Sequence, residues 1–176
     1  MPVASGWAGL ATGNWQLATM NAPILTETEL LAIVHDERAK GRTIAFANGI
    51  FDLLHVGHVR YLQGASREAD VLVVGVNSDD SARALKGEGR PVTGERERAE
   101  LVSAIRGVGY VTIFREASPA RLIAVIKPDV HCKGTDYTPD TVPEREIVLA
   151  YGGRVAIVGD PKDHSTTSIL EKMRGQ

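Results

Sequence analysis

Cysteine is almost missing from this chain of 176 residues: Cys132 stands alone, so no disulfide can form within it. A lone thiol suits a reducing compartment, and the expected location is the cytoplasm. Net charge is nearly missing too. Twenty basic against 22 acidic residues leave −2, which gives no global pull toward nucleic acid or an anionic membrane. An anionic ligand must therefore be met by local positive charge. Long apolar runs are lacking, and the longest are strand-sized, far below the roughly 18 residues of a spanning helix. Neither a nucleic-acid nor a membrane partner is expected. Charged side chains are absent from the first 25 residues, where small and polar residues dominate. Gly13, Asn14 and Gln16 interrupt any apolar core there, so the stretch does not read as a secretory signal. Residues 1–25 read as a loosely ordered extension ahead of one domain over 26–176. Met20 is an alternative start, and Trp7 and Trp15 are candidates for docking on the body or on a partner.

What is present describes a globular domain, with 43% hydrophobic and 24% charged residues. Thr26 followed by Glu29 has the spacing of a capping box, and Leu30, Leu31, Ile33 and Val34 supply an apolar stripe that should end near Gly41. Five strand-like runs follow: Thr43–Asn48, Val71–Val76, Tyr110–Phe114, Val130–Cys132 and Val155–Val158. Amphipathic stretches at Val59–Glu68, Glu95–Ile105, Pro119–Ile126, Pro143–Tyr151 and Thr167–Met173 separate or follow them. This alternation predicts an α/β fold: a Rossmann-like, doubly wound parallel sheet of about five strands with helices on both faces. In such sheets ligands bind beyond the carboxyl ends of the strands, at the topological switch point. Residues just after strands are the ones to inspect.

The first of these places is the densest. Gly49, Ile50, Phe51 and Asp52 follow the first strand, and His55, Gly57 and His58 open the next helix. Gly49 allows close backbone approach and a positive φ. The two histidines, three apart at a helix start, point to one side. Gly57 between them removes an obstructing side chain, and the exposed N–H groups of the first turn favour anionic oxygens. A lone histidine here would be a surface or capping residue. A zinc pair would need a further Cys/His cluster to complete a closed site, and no such cluster is evident, so no metal ligands are assigned.

The run GIFDLLHVGH resembles the signature of the HxGH nucleotidyltransferase superfamily, which includes cytidylyl- and adenylyltransferases. The resemblance extends over most of Thr43–Met173. It implies that His55 and His58 contact the phosphates of a nucleoside triphosphate and stabilise the transition state. Backbone at Gly49, Ile50 and Phe51 would join them, although Ile50 stands where many relatives have threonine. The resemblance implies further phosphate support from Arg98, and nucleotide contacts from Lys133, Gly134 and Asp136 in KGTDY. Ser165, Thr166 and Thr167 match a run that holds phosphates at the last helix, although alone they read as an N-cap. Asp52, Asn77, Lys86 and Arg90 fall on the acceptor side, with Lys86 also counted as catalytic. Lys86 and Arg90 are expected in a Gly-rich loop as a mobile pair of cations, unless that loop is merely solvated. Asp52 is either an indirect partner of the metal or a residue that orients the turn.

The runs VNSD, LKGxxRPV, KGxDY and STT bring the sequence nearest to the D-glycero-β-D-manno-heptose 1-phosphate adenylyltransferases, in their stand-alone form. This implies AMP transfer from ATP, with Mg²⁺, to heptose 1-phosphate, giving ADP-heptose and pyrophosphate for lipopolysaccharide core synthesis. It also implies a homo-oligomer. Asp160–His164 replaces the Arg-Thr-Glu-Gly-Ile usual in cytidylyltransferases. The alternatives are a glycerol-3-phosphate cytidylyltransferase or another alditol-phosphate relative, and a nucleotide-binding regulatory module without turnover. A sugar phosphate, with a second pKa of about 6, is largely dianionic at pH 7 and needs no general base. It needs positioning and charge neutralisation. A histidine beside a triphosphate should have its pKa raised, favouring the cation.

Overall fold

The computed structural model describes residues 21–160. Thr26 caps the first helix as its spacing predicts: its hydroxyl accepts the Glu29 N–H at 3.4 Å, and Glu29 Oε2 accepts the Thr26 N–H at 2.8 Å. That helix, α1, spans Glu27–Ala39, and Gly41 follows at φ 76°, the left-handed conformation that ends it. The chain then alternates strand and helix: β2 (Ile44–Gly49), α2 (Val56–Ala65), β3 (Val71–Asn77), α3 (Asp79–Lys86), α4 (Glu95–Ser103), β4 (Tyr110–Phe114), α5 (Ala120–Ile126), β5 (Val130–Lys133), α6 (Arg145–Ala150) and β6 (Arg154–Ile157). One sixth strand was not expected. Ile24–Leu25, β1, pairs in parallel with Val111 and Thr112 of β4, so residues 21–25 belong to the domain rather than to a loose extension. A two-residue strand carries no periodicity to recognise. Residues 1–20 and 161–176 lie outside the described residues, and with them the expected helix at Thr167–Met173.

The strands form one parallel sheet in the order β1-β4-β3-β2-β5-β6. Alternation along each strand sorts the core into two layers. Ala45, Ala47, Leu72, Val74 and Val76 pack on Leu62 and Ala65 of α2 and Ala99 and Val102 of α4. Ile44, Phe46, Val71 and Val73 pack on Leu30 of α1, Leu122 and Ile126 of α5 and Val148 of α6. Burial on both faces explains the nearly continuous Val/Ile/Leu content of these strands. From β2 the chain moves one way through β3 to β4, then crosses to β5 and β6 on the other side. The switch point therefore lies between the carboxyl ends of β2 and β5.

Candidate active site

A cavity of about 620 Å³ opens at this switch point. The ends of four strands line it: Asn48 and Gly49 closing β2, Asn77 closing β3, Lys133 closing β5 with Gly134 next to it, and Val158 just after β6. Ile50, Phe51, Asp52, His55, Gly57, His58, Lys86, Arg90 and Asp136 also line it, so most residues selected from the sequence converge on one site.

The turn between β2 and α2 is unusual in its backbone. Phe51 (φ 53°) and Leu53 (φ 47°) both adopt the left-handed conformation, which side-chain-bearing residues rarely take. Gly49 does not, contrary to expectation. Its need is steric: a Cβ there would stand 3.0 Å from the Phe51 ring, which packs over the bare α-carbon. His55 is the N-cap of α2, and the imidazoles of His55 and His58 stack with centroids 3.9 Å apart. His58 Nδ1 accepts the His55 backbone N–H at 3.4 Å, the role a glutamate plays in a capping box. In the neutral ring the proton then sits on Nε2 as a donor. Burial, followed by the neighbouring His55, pushes the His58 pKa down to about 4, against an opposing pull from Asp52. Without ligand, His58 is thus neutral at pH 7. The rise expected beside a triphosphate must come from the phosphates themselves.

On the β5 side, Lys133 is more enclosed than a surface lysine. Its ammonium donates to Asn48 Oδ1 at 3.1 Å, stands 3.4 Å from Glu144 Oε2 and lies 5.5 Å from the Tyr137 ring centroid. A Cβ on Gly134 would meet nothing within 4 Å, so the space above the loop is open to a ligand. Two neighbouring contacts join this loop to the end of β6: Thr135 Oγ1 donates to the Asp160 carbonyl at 2.7 Å, and Arg60 pairs with Asp160 at 2.7 Å.

The β3 side departs further from expectation. Asp79–Lys86 is a helix, capped by the Ser78 hydroxyl, so Lys86 is its last residue and not part of a loop. Buried Asn77 donates to Ser81 Oγ at 3.1 Å. Arg90 is not a free cation: its Nε donates to Asp52 Oδ2 at 2.8 Å. Asp52 also accepts the Val92 and Thr93 backbone N–H groups, at 3.0 and 3.2 Å, and so anchors the loop after α3. Among the described residues the Lys86 side chain makes no hydrogen bond or ion pair. Arg98 does not line the cavity. Fully buried, it donates to the Thr93 carbonyl at 2.9 Å, to Asp79 Oδ1 at 2.8 Å and to the Ile50 carbonyl, bracing the turn from behind. Ser165, Thr166 and Thr167 lie outside the described residues. Sequence reading passed over Asn48, Tyr137 and Glu144. Asn48 carried a signal by its place at the end of a strand and Tyr137 by its place in KGTDY, whereas Glu144 carried none.

A family model described as cytidylyltransferase-like matches residues 46–172, from the core of β2 through both histidines and beyond. The chain belongs to the cytidylyltransferase-like family. Its fold is accordingly that of a nucleotidyltransferase. Among curated relatives, the bifunctional protein HldE of Pelobacter propionicus is 51% identical over 82% of this chain and 30% of its own length. That of Geotalea uraniireducens is 45% identical over 98% of this chain and 38% of its own. The chain thus spans about a third of the length of the curated relatives it matches. Among solved structures, a lipopolysaccharide core biosynthesis protein from Thermoplasma volcanium superposes with a TM-score of 0.59 at 27% identity, covering 69% of this chain and all of that one. Pantothenate synthetase from Thermus thermophilus shares the fold, with a TM-score of 0.53 at 20% identity over 82% of this chain and 63% of its own. In this cytidylyltransferase-like chain no described helix is long and apolar enough to cross a membrane.

Proposed function

We propose that this cavity transfers AMP from ATP to D-glycero-β-D-manno-heptose 1-phosphate, giving ADP-heptose and pyrophosphate. The observation that carries the reading is the stacked His55–His58 pair at the switch point, in one cavity with Lys133 and Lys86. The acceptor phosphate dianion attacks the α-phosphorus, a new P–O bond forms, and the bond to the bridging oxygen of pyrophosphate breaks. His58 donates from Nε2 to phosphate oxygens as charge builds. Lys133 meets the nucleotide phosphates and Lys86, uncommitted to any described partner, the acceptor phosphate. Magnesium would be supplied with the triphosphate as part of the substrate and would add charge neutralisation, with no residue of this chain assigned as its ligand. The heptose acceptor is supported by the LKGxxRPV and KGxDY runs and by similarity to proteins named HldE. We further assign the protein to the cytoplasm and to a homo-oligomer.

A pyrophosphate-release screen of four nucleoside triphosphates against heptose 1-phosphate and glycerol 3-phosphate tests this. Turnover is expected with ATP and heptose 1-phosphate. Turnover only with CTP and glycerol 3-phosphate would replace the reading by the alditol-phosphate one, and ATP binding without release in any pair would make the chain a regulatory module. In the same assay Lys86→Ala should raise KM for the acceptor by about 10- to 100-fold, the scale of a charge-assisted hydrogen bond. Its melting temperature should stay put, because Lys86 holds nothing in the fold. An unchanged acceptor KM would return Lys86 to the solvent.

A further inference from the structure

Behind the cavity lies a buried polar cluster that the reaction above does not use. Glu144, the residue that caps α6, is 4% exposed, and His131 on β5 is fully buried. The two carboxylate oxygens of Glu144 have different neighbours. Oε1 accepts the Ser118 hydroxyl at 3.3 Å, which fixes the rotation of the group. Oε2 is thereby aimed between Lys133 Nζ at 3.4 Å and His131 Nε2 at 3.6 Å. Neither contact is a formed hydrogen bond, and Oε2 and both His131 nitrogens are buried without a hydrogen-bond partner. Buried acceptors are seldom left so, and an unsatisfied carboxylate oxygen facing a lysine that lines a ligand cavity calls for an explanation.

We propose that Glu144 is a positioning residue for nucleotide binding, holding the Lys133 ammonium against Asn48 at the cavity floor while leaving it loosely enough bound to reach a phosphate. The loose 3.4 Å approach is central to this. A tight bidentate pair would commit the ammonium, and no counter-charge would leave an unpaired cation in an apolar wall. Electrostatics agree with the geometry. Burial works to lower the Lys133 pKa, and Glu144 opposes it. Burial likewise works to raise the Glu144 pKa, but His131 and Lys133 outweigh it and hold it near 2. Burial pushes the His131 pKa down, and Glu144 pulls against it. The other groups facing the cluster are uncharged at neutral pH: Tyr137 over the ammonium, Ser118 from the start of α5, and Tyr61 of α2, whose hydroxyl donates to the Cys132 carbonyl at 2.8 Å. Among the described residues Glu144 is the carboxylate within ion-pair distance of Lys133.

The inference rests on the nucleotide-binding reading, and calorimetric titration of ATP into the full chain from pH 7 to 10 tests it. Glu144→Gln keeps the Ser118 contact and nearly the same volume, so folding should survive. Its ATP affinity should fall about tenfold at pH 7.5. Its alkaline loss of affinity should begin at lower pH than in the parent, because Lys133 has lost the charge that opposes its deprotonation. Glu144→Asp should restore the alkaline limb in part. In a Lys133→Met background, Glu144→Gln should cost nothing further. An unmoved alkaline limb, or an equal loss with and without Lys133, would overturn the proposal by reducing Glu144 to a packing role. Absence of ATP binding by the parent would bring down the nucleotide reading and this inference together. Binding without pyrophosphate release would sink the reaction alone.

Discussion

His58→Ala lowers kcat by about 10²–10³-fold, the scale on which removal of one preorganised donor acts, while the fold survives. The magnitude follows from where the ring sits. Its Nδ1 is occupied by the His55 backbone N–H, so only Nε2 is available to the cavity. With a pKa near 4 in the free chain, the ring presents a neutral donor at pH 7 and no cation. Negative charge building on the α-phosphate strengthens that hydrogen bond and draws the ring toward protonation. Stabilisation therefore grows between ground state and transition state, which is the condition for an effect on kcat over KM. Steady-state pyrophosphate release by the alanine variant is the measurement. Turnover within a factor of about three of the parent would remove His58 from the chemistry and leave it as a cap of α2.

Arg98→Ala costs on the order of 3–5 kcal/mol of stability, as is typical when one partner of a buried charged network is deleted. Its guanidinium has no exposure, and it serves Thr93, Ile50 and Asp79 together. Truncation leaves two carbonyls without their donor and opens a void where a long side chain stood. At about 2–4 °C per kcal/mol for a chain of this size, the melting temperature should fall by roughly 6–20 °C. Surface arginines give a contrast: Arg121, half exposed, pairs with Glu27 and Glu116 at the rim, where such pairs contribute about 0–1 kcal/mol. A thermal melt of Arg98→Ala matching that of Arg121→Ala would show that the buried network contributes no more than a surface pair.

The parts legible in the sequence are those whose causes are local. Strands buried on both faces announce themselves as short Val/Ile runs, and Tyr110–Phe114 has the bounds its pattern suggested. Thr26 and Glu29 sit three apart because a capping box requires it. The histidine pair was readable because helix geometry brings positions 55 and 58 to the same side. What escaped notice depends on distant partners. β1 exists only because β4 offers it an edge. α3, with four charged side chains in eight residues, lacks an apolar stripe and is held by its Ser78 cap. Arg90 looked free because Asp52 lies 38 residues earlier. Arg98 looked like a phosphate ligand because nothing nearby in sequence reveals that its donors are consumed behind the turn. The enclosure of Lys133 by Glu144 is likewise a product of the β5–α6 crossover.

The left-handed residues Phe51 and Leu53 flank an aspartate that four donors already grip. A segment in so sparsely populated a conformation persists only where its surroundings dictate it. Its configurational entropy is consequently surrendered during folding, before any nucleotide arrives. Association then has little ordering left to oppose it on this side of the cavity, and more of the contact free energy remains for affinity.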